Sequence, residues 1–190
     1  WSSDVCSSDL FQIDDSNIDD KDVLGKSLIR MRDNLLATAK KESDAGWIAA
    51  GKDRVSDILR MHNDIEKLSY ETLVSLIEYI KVIQGAFYVF DEDRMVLINK
   101  ATYAYNRKKY LDQQFEIGKG LIGQAAFEMA VIYLKEIPDD YITITSGLLK
   151  DQKPNSILIV PLITDEKLQG VLEFASLDKD FSPLTIRFLE

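Results

Sequence analysis

The apolar positions of this chain change their period twice. Leu24, Leu28, Met31, Leu35 and Thr38 follow one another at alternating spacings of four and three, and Ala45 and Ala49 continue the series past Glu42. That is a heptad-like seam, and it predicts a helix carrying one narrow apolar stripe. Asp20 or Asp22 is placed to cap the start of this helix, where carboxylates are favoured beside unpaired N–H groups. Gly46 and Gly51 flank Trp47 and interrupt the seam, since each costs a helix about 1 kcal/mol relative to alanine. A second helical pattern follows through Val55, Ile58, Leu59, Ile65, Leu68, Leu73, Leu76, Ile77 and Ile80. Its stripe widens after Ile65, as in a helix that begins to cover a sheet.

From Gly85 the pattern becomes strand-like. Ala86–Phe90 and Met95–Tyr103 read as two strands, with Asp91-Glu92-Asp93-Arg94 as the hairpin turn between them. Lys108–Glu116 is largely polar and reads as a connection into the glycines at 118–123. A short helix is expected over Leu121–Met129, a brief strand over Val131–Leu134 and a loop over Ile137–Tyr141. Ser156–Leu162 and Gly170–Ser176 form a further hairpin around Asp165-Glu166-Lys167. Ser182-Pro183 opens a last helix, with Phe188 and Leu189 still in register at Glu190, so the chain is expected to be truncated there. The fold class is therefore α+β: an antiparallel sheet flanked by helices, with an N-terminal coiled-coil-like helix.

With 190 residues, 46% hydrophobic and 29% charged, the chain has room for one ordinary domain and an appendage. Its one cysteine excludes a disulfide framework, and its one histidine removes most zinc sites and argues against a Ser/His or Cys/His catalytic pair. No metal site is expected. Acidic residues outnumber basic ones by 32 to 23, and without a Lys/Arg cluster nucleic acid is set aside as a partner. The longest apolar runs, such as Ile157–Val160, are far too short to span a bilayer, and no basic start precedes an apolar stretch as in a signal peptide. Residues 1–10, WSSDVCSSDL, repeat Ser-Ser-Asp around Val5 and Cys6 and resemble translated sequencing-adapter read-through. They read as a non-native tail and are left out of fold reasoning. Between Val23 and Asp64, 8 basic and 6 acidic residues surround the narrow stripe. Such a stripe suits a parallel partner helix better than a globular core, so Leu24, Leu28, Met31 and Leu35 are expected to form the stalk of a parallel homodimer.

Several residues invite chemistry. Gly118, Gly120 and Gly123 spell GxGxxG, but no apolar strand enters the motif, and only seven residues separate Gly123 from Val131. A parallel crossover needs about a dozen or more. The glycines are read as a tight turn into a helix whose N–H groups could face an anionic part of a ligand. His62, in Arg-Met-His-Asn-Asp-Ile, is faintly like a phosphoacceptor box, but Lys67 stands where such boxes carry proline. It is read as a surface histidine on a connecting helix. Tyr103, Tyr105, Phe127, Tyr133 and Tyr141, with Arg107 among them, either fill a core or wall a pocket with one cationic anchor for a small planar or anionic ligand. Asp139 and Asp140 read as turn and cap residues, so no catalytic centre is expected in this chain.

Taken together, Gln84-Gly-Ala-Phe-Tyr-Val-Phe, Gly118-Lys-Gly-Leu-Ile-Gly-Gln, Ile132-Tyr-Leu-Lys-Glu-Ile-Pro-Asp-Asp-Tyr, Leu158-Ile-Val-Pro-Leu and Gly170-Val-Leu-Glu-Phe-Ala-Ser resemble a GAF domain over residues 65–190. More narrowly they resemble the GAF domains of multidomain bacterial sensors, including sensor histidine kinases. Val23–Leu35 resembles the second helix of a HAMP linker, giving a HAMP-like stalk over 11–45 and a connector helix over 46–64. The resemblance implies a signal-transduction module that relays a conformational change to a missing output domain. It also implies a place on the cytoplasmic side of the inner membrane in the full-length protein, the membrane being reached only through a missing upstream segment. GAF domains bind cyclic nucleotides, haem or linear tetrapyrroles. The tetrapyrrole class needs an attachment cysteine, and only Cys6 is present. Asn99-Lys100 matches the start of the cyclic-nucleotide signature, but its Phe…Asp-Glu part does not follow. The ligand is thus left unassigned, with a ligand-free dimerisation spacer or a stand-alone small-molecule binder as alternatives. A GAF-type free methionine sulfoxide reductase would need reactive cysteines within 65–190, where the sequence has none.

Overall fold

A glycine weakens a helix in isolation, yet it is the residue that lets two elements touch. Helix α1 runs from Val23 to Met61 without interruption through both Gly46 and Gly51, where the sequence pattern predicted a break. The computed structural model describes residues 23–104, 113–135, 137, 154–177 and 180–190, which divide between two compact units, 1–49 and 50–190. Gly51 is buried. A Cβ added there would lie 2.5 Å from the Phe188 ring and 2.6 Å from that of Tyr79. Two aromatic rings therefore occupy the space a side chain would take, and this contact offsets the weak helix propensity.

The real break lies three residues long at 62–64, inside what reads as one helical pattern. Asp64 adopts an extended conformation, φ −92° and ψ 121°, and its side chain accepts a hydrogen bond from the Glu66 N–H. This N-cap starts helix α2, Ile65–Ile80. His62 occupies the break rather than a helix. Its side chain is 15% exposed, and its Nε2 hydrogen-bonds Glu71 on α2, so it is half-buried and engaged, not a free surface histidine.

Six strands follow: β1 Gln84–Asp91, β2 Val96–Tyr103, β3 Gln114–Glu116, β4 Ile132–Leu134, β5 Ser156–Thr164 and β6 Lys167–Ser176. Helix α3, Gly120–Glu128, lies between β3 and β4, and α4, Pro183–Leu189, closes the order. The strands form one sheet in the order β3-β2-β1-β6-β5-β4, with every pairing antiparallel. Chain between β3 and β4 thus passes from one sheet edge to the other, carrying α3 across one face. Strand β3 was not expected, because its three residues have no apolar run; it pairs with β2 at the edge. The glycine motif therefore does follow a strand. That strand is antiparallel, however, so the motif is no dinucleotide-binding βαβ unit. Gly118 and Gly120 take φ +80° and +65°, and Gly123 sits so close to the Glu116 carbonyl that a Cβ has no room.

The sheet has two buried faces. On one lies α2, with the Leu73 and Ile77 side chains reaching the backbone at Gly85. On the other, Ile122, Ala125 and Ala126 of α3 pack into a core with Ala86, Tyr88, Leu97, Ile157, Ile159, Val171 and Ala175. Fully buried Phe174 and Leu158 face each other across the β5–β6 ladder on the α2 side.

Candidate functional site

Strand alternation puts residues two apart on one face, and a β-bulge breaks that rule. The β1–β2 register shifts between Phe87 and Tyr88: Tyr88 stands opposite Asn99, whereas Phe87 stands opposite Ala101. Lys100 is the extra residue. Beyond it Thr102 lies opposite Ala86, so Thr102 shares the α3-facing side with Asn99 instead of the opposite one. Gln84, Tyr88 and Glu173 alternate onto the same face, with Glu173 directly opposite Ala86 on β6.

The α3-facing side of the sheet therefore carries a polar group of side chains within an apolar core. Glu173 is 4% exposed, Asn99 4%, Thr102 6% and Gln84 3%. The Tyr88 hydroxyl donates to Glu173 Oε2 at 3.2 Å, and the Tyr88 ring meets Phe115 of β3 edge-on at 5.4 Å. Gln84 Nε2 donates to the Ala104 carbonyl at 3.4 Å. Neither amide atom of Asn99 nor the hydroxyl of Thr102 has a hydrogen-bond partner. Buried polar groups are normally paired, because desolvation without a bond costs about 1–3 kcal/mol.

A model of the GAF domain matches residues 62–190. The chain belongs to the GAF domain family. GAF domains form a sensory and ligand-binding class of module. The solved GAF domain of a Coxiella burnetii phosphoenolpyruvate-protein phosphotransferase is 19% identical, with a TM-score of 0.62, over 74% of this chain and 84% of that one. Free methionine-R-sulfoxide reductase from Neisseria meningitidis, solved with its substrate, is also 19% identical, with a TM-score of 0.57, over 77% of this chain and 83% of the other. A GAF domain of Aquifex aeolicus in an inactive state is 18% identical with a TM-score of 0.54, covering 78% and 88%. Such identities establish the shared fold. No curated protein matches the sequence.

In this GAF domain the described side chains expected to line a pocket, Tyr103, Phe127 and Tyr133, do not come together. Tyr103 stands opposite Gly85, on the α2 side of the sheet. Tyr133 lies on β4 opposite Leu158, and its hydroxyl accepts from the Phe181 N–H at 3.0 Å while its ring meets Phe181 edge-on. Phe127 is 66% exposed at the C-terminal end of α3. Tyr105, Arg107, Tyr141, Asp139 and Asp140 lie outside the described residues. The polar group of Tyr88, Asn99, Thr102 and Glu173 was not singled out from sequence. Its signals were a lone carboxylate in the apolar run Gly170–Ser176 and Asn99 within the Asn99-Lys100 pair. Among the described residues there is no cluster of metal-ligating side chains.

The seam residues of the N-terminal unit are solvent-facing in the single chain. Leu24 is 71% exposed, Leu28 47%, Met31 60% and Leu35 55%. No helix among the described residues is long and apolar enough to cross a membrane.

Proposed function

We propose that this GAF domain is a sensory module of a signal-transduction protein, acting as a parallel homodimer in which a packing change passes from the α1 stalk through the GAF domain to an output domain, with ligand favouring one packing. The observation that carries the relay is the exposed heptad seam of Leu24, Leu28, Met31 and Leu35 on a helix that continues into the second unit. Apolar side chains repeating at heptad spacing are buried only by a partner helix. The setting that this stalk supports is a HAMP linker upstream and a histidine kinase output, on the cytoplasmic side of a membrane. Proposed ligand contacts that the sequence supplies are Tyr105, Arg107 and Tyr141.

Within the second unit, the last turns of α1 meet α2 and α4 at Gly51, through Tyr79 and Phe188, whose rings lie 5.4 Å apart. A groove of about 390 Å³ beside them is lined by Val55, Leu59, Leu68, Phe87 and Leu172. The groove opens to solvent, with Leu59 52% exposed, and in this reading it gives α1 room to shift against the sheet. Two packings of these helices, one favoured by ligand, would give the domain its two signalling states. The sulfoxide reductase reading has no support, since residues 62–190 hold no cysteine.

Analytical ultracentrifugation of the whole chain tests the stalk. The wild type is expected to sediment as a dimer and the double variant Leu28→Asp, Leu35→Asp as a monomer that loses part of its helical signal but keeps the cooperative unfolding of the GAF domain. A variant that remains dimeric rejects the relay.

A further inference from the structure

The geometry points to a recognition subsite at Asn99 and Thr102 for an amide-type edge, an N–H donor beside a C=O acceptor, on a small ligand whose docked part is uncharged or cationic. It rests on the sensory reading above and names what that sensor takes. Asn99 offers two donors and an acceptor, all buried and unpaired, and Thr102 adds a hydroxyl in the same condition. Ser69 and Thr72 are also buried and unpaired on α2, but a helical hydroxyl can turn to the carbonyl four residues back. An asparagine in a strand has no such recourse. The backbone N–H of Asn99 is already bonded to the Gln113 carbonyl at 3.1 Å, and its strand is paired on both sides. The bulge at Lys100 is what brings both unpaired groups to one face, and bulges re-aim side chains in this way beside functional sites.

The class of ligand follows from shape and charge. A planar amide edge meets the Asn99 side chain with two parallel hydrogen bonds, as asparagine meets a base edge. Tyr88, its cross-strand neighbour, and Phe115 place aromatic surface beside it. Among the described residues Glu173 is the one buried charged side chain, and it lies on this face opposite Ala86, which in turn pairs with Thr102. A carboxylate or phosphate docking at the amide would give up its hydration beside the buried Glu173 carboxyl, which offers it no positive charge.

The experiment uses the whole chain labelled with ¹⁵N. The Asn99 side-chain resonances are assigned by their disappearance in Asn99→Leu. Acetamide, glycinamide and acetate, three probes of similar size, are then titrated at millimolar concentrations, where such small ligands bind. Acetamide and glycinamide are expected to move the Asn99 resonances saturably, and acetate to leave them in place. Equal saturation by acetate, or no response to either amide, overturns the subsite. In parallel, Asn99→Leu is expected to raise the thermal midpoint of the ligand-free protein by about 2–4 °C, because it removes an unpaired group from a buried position. A lowered midpoint shows the amide already paired in the fold and rejects the proposal. Failure here is distinct from failure of the relay, which sedimentation reads independently of Asn99. A retained small molecule whose mass persists in native spectra of Asn99→Leu rejects the amide class and leaves the sensor standing.

Discussion

Two glycines of α1, five residues apart, separate local propensity from tertiary contact. Gly46 has no atom within 4 Å of an added Cβ, so Gly46→Ala should stabilise the helix by about 1 kcal/mol. Gly51 has two aromatic rings in that position, and Gly51→Leu should destabilise by about 1–3 kcal/mol through overpacking. Thermal or urea unfolding of the two variants checks both, and the opposite signs are the prediction; a stabilising Gly51→Leu would remove the ring contact as the reason for glycine there. At Lys135 the effect is electrostatic. Its ammonium donates to Asp180 Oδ2 at 2.7 Å, and this bond raises its pKa above the ordinary 10.5. A raised folded-state value means the contribution is fully present below the unfolded pKa and lost as pH rises through the folded one. The midpoint difference between wild type and Asp180→Asn should therefore stay constant from about pH 7 to 9 and shrink at more alkaline pH. Since both side chains are exposed, that difference should be small.

Among elements, the turn into α3 is the most constrained. Gly118 N–H donates to the Gly123 carbonyl at 2.8 Å, and the Lys119 N–H to Glu116 at 3.1 Å, so β3 and α3 are tied through the glycines themselves. Gly123→Ala pushes a methyl into the Glu116 carbonyl and should open this turn, at about 1–3 kcal/mol. Hydrogen exchange would show faster amides over Gly118–Ala126 and little change in β5 and β6; uniform loss of protection would mean that the turn has no local stability of its own. Most elements were legible because their patterns are long. Both hairpins and the helix starting at Ser182-Pro183 stand where alternation and capping place them: the Ser182 hydroxyl accepts from the Thr185 N–H at 3.0 Å. β3 was not legible, because an edge strand of three residues takes its hydrogen bonds from a partner and leaves no apolar period of its own.

Across the whole molecule, the exposed seam and the two-faced sheet are two kinds of surface, which the proposed function assigns to a second copy and to a ligand. The first is written in heptad spacing and needs no fold to be seen. The second depends on which strands become neighbours. Sequence by itself determined the α+β class, the strand pairs joined by short turns and the lack of cysteine in residues 62–190, because these follow from periodicity, turn residues and composition within short windows. Only the tertiary structure decided that α1 passes unbroken through Gly51, that Tyr103 and Tyr133 leave the α3 face, and that Asn99 and Thr102 share it. The reason is physical. A bulge changes side-chain facing by one residue in response to the partner strand, and a glycine is read as break or contact according to what packs against it. Both depend on residues far away in the chain.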